Sequence, residues 1–178
     1  GAKLSHECVD PQLDRGLIEA TTPECVGPSE VLRHARAWDR LLARAAADVS
    51  AGRIGVRDRA QRLVESSVVW REVARRTGDA AALRKAASLA EQSAGLMRRE
   101  SPRTSAGPAL CQQAQAALLG ADLFGEDSLN AAAGFLVGQA GRSAAARALA
   151  ARLGARSALA EGDLEQVQAA AHEFDAPL

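Results

Sequence analysis

The chain has 178 residues, enough for one domain with its own core, and its formal net charge at pH 7 is +0. Alanine fills 41 positions and leucine 21, whereas aromatic residues make up only 3% and tyrosine is absent. Ala and Leu are strong helix formers, and sheets draw on Val, Ile and aromatic residues, so we predict an all-α protein. No apolar run reaches the ~18–20 residues that a membrane-spanning helix needs.

The charge is unevenly distributed along the chain. Residues 33–76 carry eleven Arg against five acidic residues, whereas residues 1–32 and 122–178 each have an excess of four acids. Arg outnumbers Lys by twenty to two, which we interpret as the mark of a GC-rich bacterial genome. A single Arg is therefore weak evidence of function here.

Residues 1–28 form a polar N-terminal segment with a short predicted helix near 11–20. Cys8 and Cys25 flank that helix, and a disulfide between them suits an oxidising compartment. Two free thiols are the alternative. The only methionine is Met97, so either a removed signal peptide or trimming accounts for the first residue. We expect a periplasmic or secreted protein, and otherwise a cytoplasmic one.

Residues 29–178 are predicted to form one helical domain. Apolar residues recur at three- and four-residue steps along the first long helix, from Val31 through Trp38 and Leu41 to Ala45. In the second helix Trp70 lies on the same kind of stripe and is expected inside. The predicted helices span 30–50, 56–76, 80–99, about 108–124, 128–140, 143–160 and 163–174.

A glycine followed by an acidic residue occurs at three predicted helix ends. Gly78-Asp79, Gly125-Glu126 and Gly162-Asp163 each separate two helical runs. Glycine accepts the left-handed conformation that ends a helix, and Asp can cap the helix that follows. Each step therefore predicts an antiparallel helical hairpin with almost no loop.

The hairpin pattern resembles the tetratricopeptide family over about residues 56–176. The matching positions after each turn hold Leu83, Asn130 and Val167, and the turn spacings are 47 and 37 residues, against 34 in the family. The resemblance implies three hairpins, 56–99, 104–141 and 143–176, stacked as a right-handed superhelix. An irregular helical bundle is the alternative. The family requires a small residue four positions before each turn glycine. In this chain those positions hold Ala74, Ala121 and Ala158.

The same resemblance implies a non-enzymatic scaffold that binds a protein or peptide and uses no cofactor. In such a superhelix the first helix of each hairpin lines the concave side, where polar groups can bind an extended peptide or a carboxylate. The oligomeric state stays open. The residues expected on that wall are Glu65, Glu72, Arg75, Gln112, Gln115, Asp122, Arg152 and Arg156.

Two other functions fit the sequence less well. Residues 70–87 resemble the helix-turn-helix of bacterial DNA-binding regulators, but Asp79 stands where that motif needs an apolar residue, so we expect no nucleic-acid partner. An enzyme with an unrecognised site is the second alternative, although the chain has no phosphate-binding glycine loop, H-E-x-x-H or G-x-S-x-G motif. Gly134, Gly138 and Gly141 are interpreted as sites of close helix packing.

A zinc site drawn from His6, Cys8, Cys25 and His34 lacks the tight ligand pairs that zinc usually requires. We therefore predict no metal site.

The Cys8–Cys25 bridge makes a direct prediction. It would close a loop of sixteen intervening residues and stabilise the chain by roughly 3 kcal/mol. Thiol titration of the unfolded, unreduced protein should find one reactive thiol, that of Cys111. Three reactive thiols would exclude the bridge.

Overall fold

The computed structural model describes residues 27–100, 106–126 and 128–162, and every regular element in these ranges is an α-helix. This confirms the all-α prediction, and each helix begins and ends within about two residues of the predicted bounds. The predicted helices at 11–20 and 163–174 and the Cys8–Cys25 bridge lie outside the described residues. The helices are α1 (Pro28–Ser50), α2 (Val56–Thr77), α3 (Ala80–Glu100), α4 (Gly107–Phe124), α5 (Ser128–Gln139) and α6 (Ala144–Glu161).

The three Gly-acid steps end their helices with the same backbone geometry. Gly78, Gly125 and Gly162 have φ of 69°, 68° and 75°, the left-handed region in which only glycine is free of strain. The amide of each glycine donates a hydrogen bond to the carbonyl of the residue four positions earlier. Those residues, all buried, are Ala74, Ala121 and Ala158.

Helices α2 and α3 form an antiparallel pair that two buried serines join. The Ser67 hydroxyl donates to the Ala86 carbonyl at 2.8 Å, and the Ser93 hydroxyl donates to the Ala60 carbonyl at 2.8 Å. The two bonds run in opposite directions and lie two helical turns apart. A short hydroxyl can reach a carbonyl of the facing helix only when the two backbones are close, which the alanines at this interface permit.

A polar cluster joins α1 to that pair. The Trp70 indole donates to one Asp39 oxygen at 3.1 Å, and the Lys85 ammonium donates to the other at 2.6 Å. The same ammonium lies 3.9 Å from the centre of the Trp70 ring. Trp70 is buried, as its place on the apolar stripe predicted.

The later helices stack on the preceding hairpin. Helix α4 packs against both α2 and α3, and α6 packs against both α4 and α5. Gly120 allows a close approach, because a Cβ there would lie 2.7 Å from Leu129 Cδ1 and 3.2 Å from Leu83 Cδ2. This packing order is what stacked hairpins require. The tetratricopeptide-like superhelix itself stays a prediction.

Two predictions about packing are wrong. Leu41 is 46% exposed, because α1 packs mainly against α2 and that contact does not cover the whole stripe. Gly134, Gly138 and Gly141 are exposed rather than packed against a neighbouring helix.

Trp70→Ala should destabilise the protein by about 3–5 kcal/mol, because it leaves a cavity and removes the partner of Asp39 and Lys85. Leu41→Ala, which removes a large side chain from an exposed site, should change stability by less than about 0.5 kcal/mol. Urea unfolding followed by circular dichroism measures both. Equal effects in the two variants would contradict this packing.

Candidate functional site

An arginine-lined cleft of about 600 Å³ lies between α2, α4 and α6. Its walls come from three helices that α3 and α5 separate in sequence, so residues distant in sequence meet there. Helix α2 contributes Arg71 and Arg75, and α6 contributes Arg152. The remaining lining residues are Gln115, Leu119, Asp122, Ala145, Ala148 and Leu149.

Asp122 joins α4 to α6 at this cleft. One of its oxygens accepts a hydrogen bond from Arg152 at 3.0 Å, and the other accepts one from Arg156. Arginines four residues apart lie on the same face of a helix, which lets one carboxylate bind both. The carboxylate thus holds both α6 guanidinium groups against the mouth of the cleft.

Arg71 is the most unusual group in the cleft. Its side chain is partly buried and its guanidinium donates a hydrogen bond to the neutral amide oxygen of Gln112, and it has no ion pair within the described ranges. Burial, and to a smaller degree the positive charge of Arg152, lower the pKa of Arg71 to about 10, although Glu72 acts in the opposite direction. A partly buried cation without a carboxylate partner is costly, because the part of its hydration that is lost is not replaced by an opposite charge.

The carboxylate nearest to Arg71 in sequence is already in use. Glu72 accepts hydrogen bonds from Arg75 at 2.7 and 2.8 Å and from Arg76 at 2.5 Å. Burial acts to raise the pKa of Glu72, but these bonds hold it below its ordinary value. Glu72 therefore stays ionised and engaged at neutral pH.

The cleft region carries an excess of positive charge. Among the residues that the structure describes there, the carboxylates of Glu72 and Asp122 stand against five guanidinium groups, which is an excess of three positive charges. Such an excess in a partly buried cleft favours an anionic ligand. The five groups are those of Arg71, Arg75, Arg76, Arg152 and Arg156.

The structure brings most of the predicted wall residues together. Arg75, Gln115, Asp122 and Arg152 line the cleft directly. Gln112, Arg156 and Glu72 hold lining residues through the hydrogen bonds given above.

Two residues depart from this prediction. Glu65 does not line the cleft. It accepts a hydrogen bond from Gln61 at 3.0 Å and lies about three turns before Arg75. Arg71 was missed, although the sequence offered a signal: a long cationic side chain at a position where the tetratricopeptide pattern expects a small residue.

Cys111 and the possible metal ligands were the remaining candidates for chemistry among the described residues. Cys111 is buried, and burial raises the pKa of its thiol, so it is a poor nucleophile. In the ranges 27–100, 106–126 and 128–162 no group of three or more His, Cys, Asp or Glu side chains is placed to hold a metal ion. What the cleft does provide is a set of hydrogen-bond donors.

Comparison with protein-family models, with curated proteins and with solved structures finds no match to this chain. Among the described helices, none combines the length and the apolar character that crossing a bilayer requires. Function is therefore argued from the geometry of the cleft and from its charge.

The unpaired charge of Arg71 predicts an unusual effect on stability. Arg71→Met keeps the apolar part of the side chain and removes the partly buried cation, so the free energy of unfolding should stay the same or rise by up to about 2 kcal/mol. Urea unfolding at neutral pH is the measurement, with Arg40→Met on the exposed side of α1 as control. A clear loss of stability in Arg71→Met alone would show that its guanidinium is satisfied in the folded protein.

Proposed function

We propose that this chain is a non-enzymatic binding protein that holds an acidic, extended segment of a partner protein in the cleft between α2, α4 and α6. The observation that carries the proposal is the partly buried Arg71 guanidinium, which lacks a carboxylate partner among the described residues and lies near Arg152. A carboxylate entering the cleft would supply the missing counter-charge. Arginine suits this role because it binds carboxylates through two parallel hydrogen bonds.

The other cleft residues fit an extended peptide rather than a single small anion. Gln115 offers an amide that can donate to or accept from a peptide backbone, and Leu119 and Leu149 offer apolar contacts beside it. The walls come from α2, α4 and α6, so the cleft runs across three helices. A segment with alternate acidic side chains could then reach Arg71, Arg75 and Arg152 in turn.

We further propose that the protein acts outside the bacterial cytoplasm, in the periplasm or after secretion. The support is the pair Cys8 and Cys25, whose bridge would persist only in an oxidising compartment. A scaffold of stacked hairpins that binds a partner segment needs no cofactor.

The DNA-binding alternative for residues 70–87 has less support than the binding cleft. A helix-turn-helix uses short helices with a free recognition helix, whereas α2 has 22 residues and α3 has 21. Helix α3 is also joined to α2 through Ser67 and Ser93 and packed against α4. The basic residues at the end of α2 are turned to Glu72 and to the cleft.

Binding of synthetic peptides tests the proposed function. A fluorescent peptide of about eight residues with Glu at alternate positions spans roughly 26 Å when extended. Its affinity, measured by anisotropy, should exceed that of the same peptide with Gln in place of Glu, and the difference should shrink at high salt. Gln115→Ala, Arg152→Ala and Arg71→Met should each weaken binding by about 1 kcal/mol or more.

Exposed arginines on α1 provide the matched controls. Arg40→Ala and Arg44→Ala remove the same charge at sites far along the chain from the cleft. Equal losses of peptide affinity in the cleft and control variants would mean that the peptide binds through general charge attraction and not in the cleft. Absence of binding to any acidic peptide would remove the proposed function.

A further inference from the structure

A large groove lies on the other side of α4 from the arginine-lined cleft. It has a volume of about 810 Å³, with α3 and α5 as walls and α4 as floor. At 100° per residue, the α4 residues that line the groove point roughly 160° away from those that line the cleft. On α4, Gln113, Ala117 and Gly120 define the direction of the groove. Gln115, Leu119 and Asp122 define the direction of the cleft.

The floor and the α3 wall are built of small residues at helical spacing. Along α3 the groove is lined by Ala80, Ala87 and Ala94, each seven residues after the last. Along α4 it is lined by Ala117 and Gly120. Small residues at a seven-residue repeat let another helix approach closely along the whole length of the wall.

Two of the three phenylalanines in the chain line this groove in exposed positions. Phe135 on α5 is 69% exposed, and Phe124 at the end of α4 is 40% exposed. A chain with so few aromatic residues would ordinarily bury them. Exposed aromatic residues beside an apolar groove are typical of a binding surface.

Charged residues along the α3 rim repeat with the same seven-residue period and alternate in sign. Arg84, Glu91 and Arg98 are exposed, and none of them has an ion pair within the described ranges. Arg98 donates to the neutral Gln139 across one end of the groove at 3.1 Å. The rim therefore presents a plus-minus-plus pattern over about 21 Å.

We propose that the groove binds an amphipathic helix of a partner protein whose apolar stripe is flanked by an acidic, a basic and an acidic residue at seven-residue spacing. The apolar stripe covers the small residues and Phe135, and the flanking charges pair with Arg84, Glu91 and Arg98. The rim pattern reads the same in both directions, so a minus-plus-minus helix is complementary in either orientation. This site is separate from the cleft and does not depend on the function proposed for it.

Designed helical peptides test the proposal. Two peptides of about three heptads share one leucine stripe and differ only in the flanking order, Glu-Lys-Glu or Lys-Glu-Lys. The Glu-Lys-Glu peptide should bind about tenfold more tightly at low salt, and the preference should weaken as salt screens these exposed pairs. Isothermal titration calorimetry on the full chain measures both affinities.

Variants of the protein sharpen the test. The triple variant Arg84→Glu, Glu91→Arg and Arg98→Glu should invert the peptide preference, because all three positions are exposed. Gly95→Leu should weaken both peptides about tenfold or more, since Gly95 lines the groove and a Cβ there meets no described atom within 4 Å. Gly154→Leu on α6, equally open and outside the groove, is the matched control and should leave both affinities unchanged.

Several outcomes would overturn the proposal. Equal affinity for the two peptides would mean that the groove binds the leucine stripe and does not distinguish the flanking charges. Failure of the triple variant to invert the preference, or no binding at all, would also reject it. Concentration-dependent self-association that Gly95→Leu abolishes would assign the groove to a second copy of this chain instead. Arg152→Ala should not affect these peptides, which separates this result from the test of the cleft.

Discussion

The fold depends on how closely its helices approach one another. Aromatic side chains are few and alanine is the commonest residue, so much of the burial comes from backbones that lie near each other across alanine, serine and glycine. The Ser67 and Ser93 hydroxyls show how close α2 and α3 are, since each reaches a carbonyl of the opposite helix. Each bond satisfies a buried hydroxyl that would otherwise cost free energy. This pair is the base on which α1 and α4 pack.

Helix α4 has a central position in this arrangement. It packs against the α2–α3 pair on one side and pairs with α5 and α6 on the other. Its two remaining faces are chemically different. One presents Gln115 and Asp122 to the arginine-rich cleft, and the other presents Ala117 and Gly120 to the apolar groove. One helix therefore separates a site suited to an anionic, extended ligand from a site suited to an apolar, helical one.

Local backbone rules made much of the fold predictable. Gly78, Gly125 and Gly162 could be assigned as helix ends because only glycine is free to adopt the required conformation, and the predicted helix bounds followed from them. Trp70 could be placed inside because it lies on an apolar stripe. The apolar stripe on α1 predicted more buried residues than the structure has. Periodicity does not show how much of a helix face its neighbour covers, and Leu41 lies outside the part that is covered.

The sites were harder to predict than the helices, because they depend on distances between helices. Aligning the turn glycines identified the cleft wall except at Glu65, which lies six residues before Arg71 and about 120° around α2 from it. Arg71 was missed because a repeat pattern treats a large residue at a small position as a departure, not as a functional group. The apolar groove was missed because an alanine in the sequence, such as Ala87 or Ala117, gives no sign of whether it will line an open groove or lie in the core.

Gly120 has a consequence for how the two faces of α4 behave together. A Cβ atom at this position would clash with Leu129 and lie in tight contact with Leu83. Helices α3, α4 and α5 are therefore packed against one another without free space at this point. Both of those leucines also line the apolar groove. On the opposite face of the same helix, Asp122 holds Arg152 and Arg156 of α6. The close contact at Gly120 therefore fixes the position of the helix that carries Asp122, and with it the position of the two arginines.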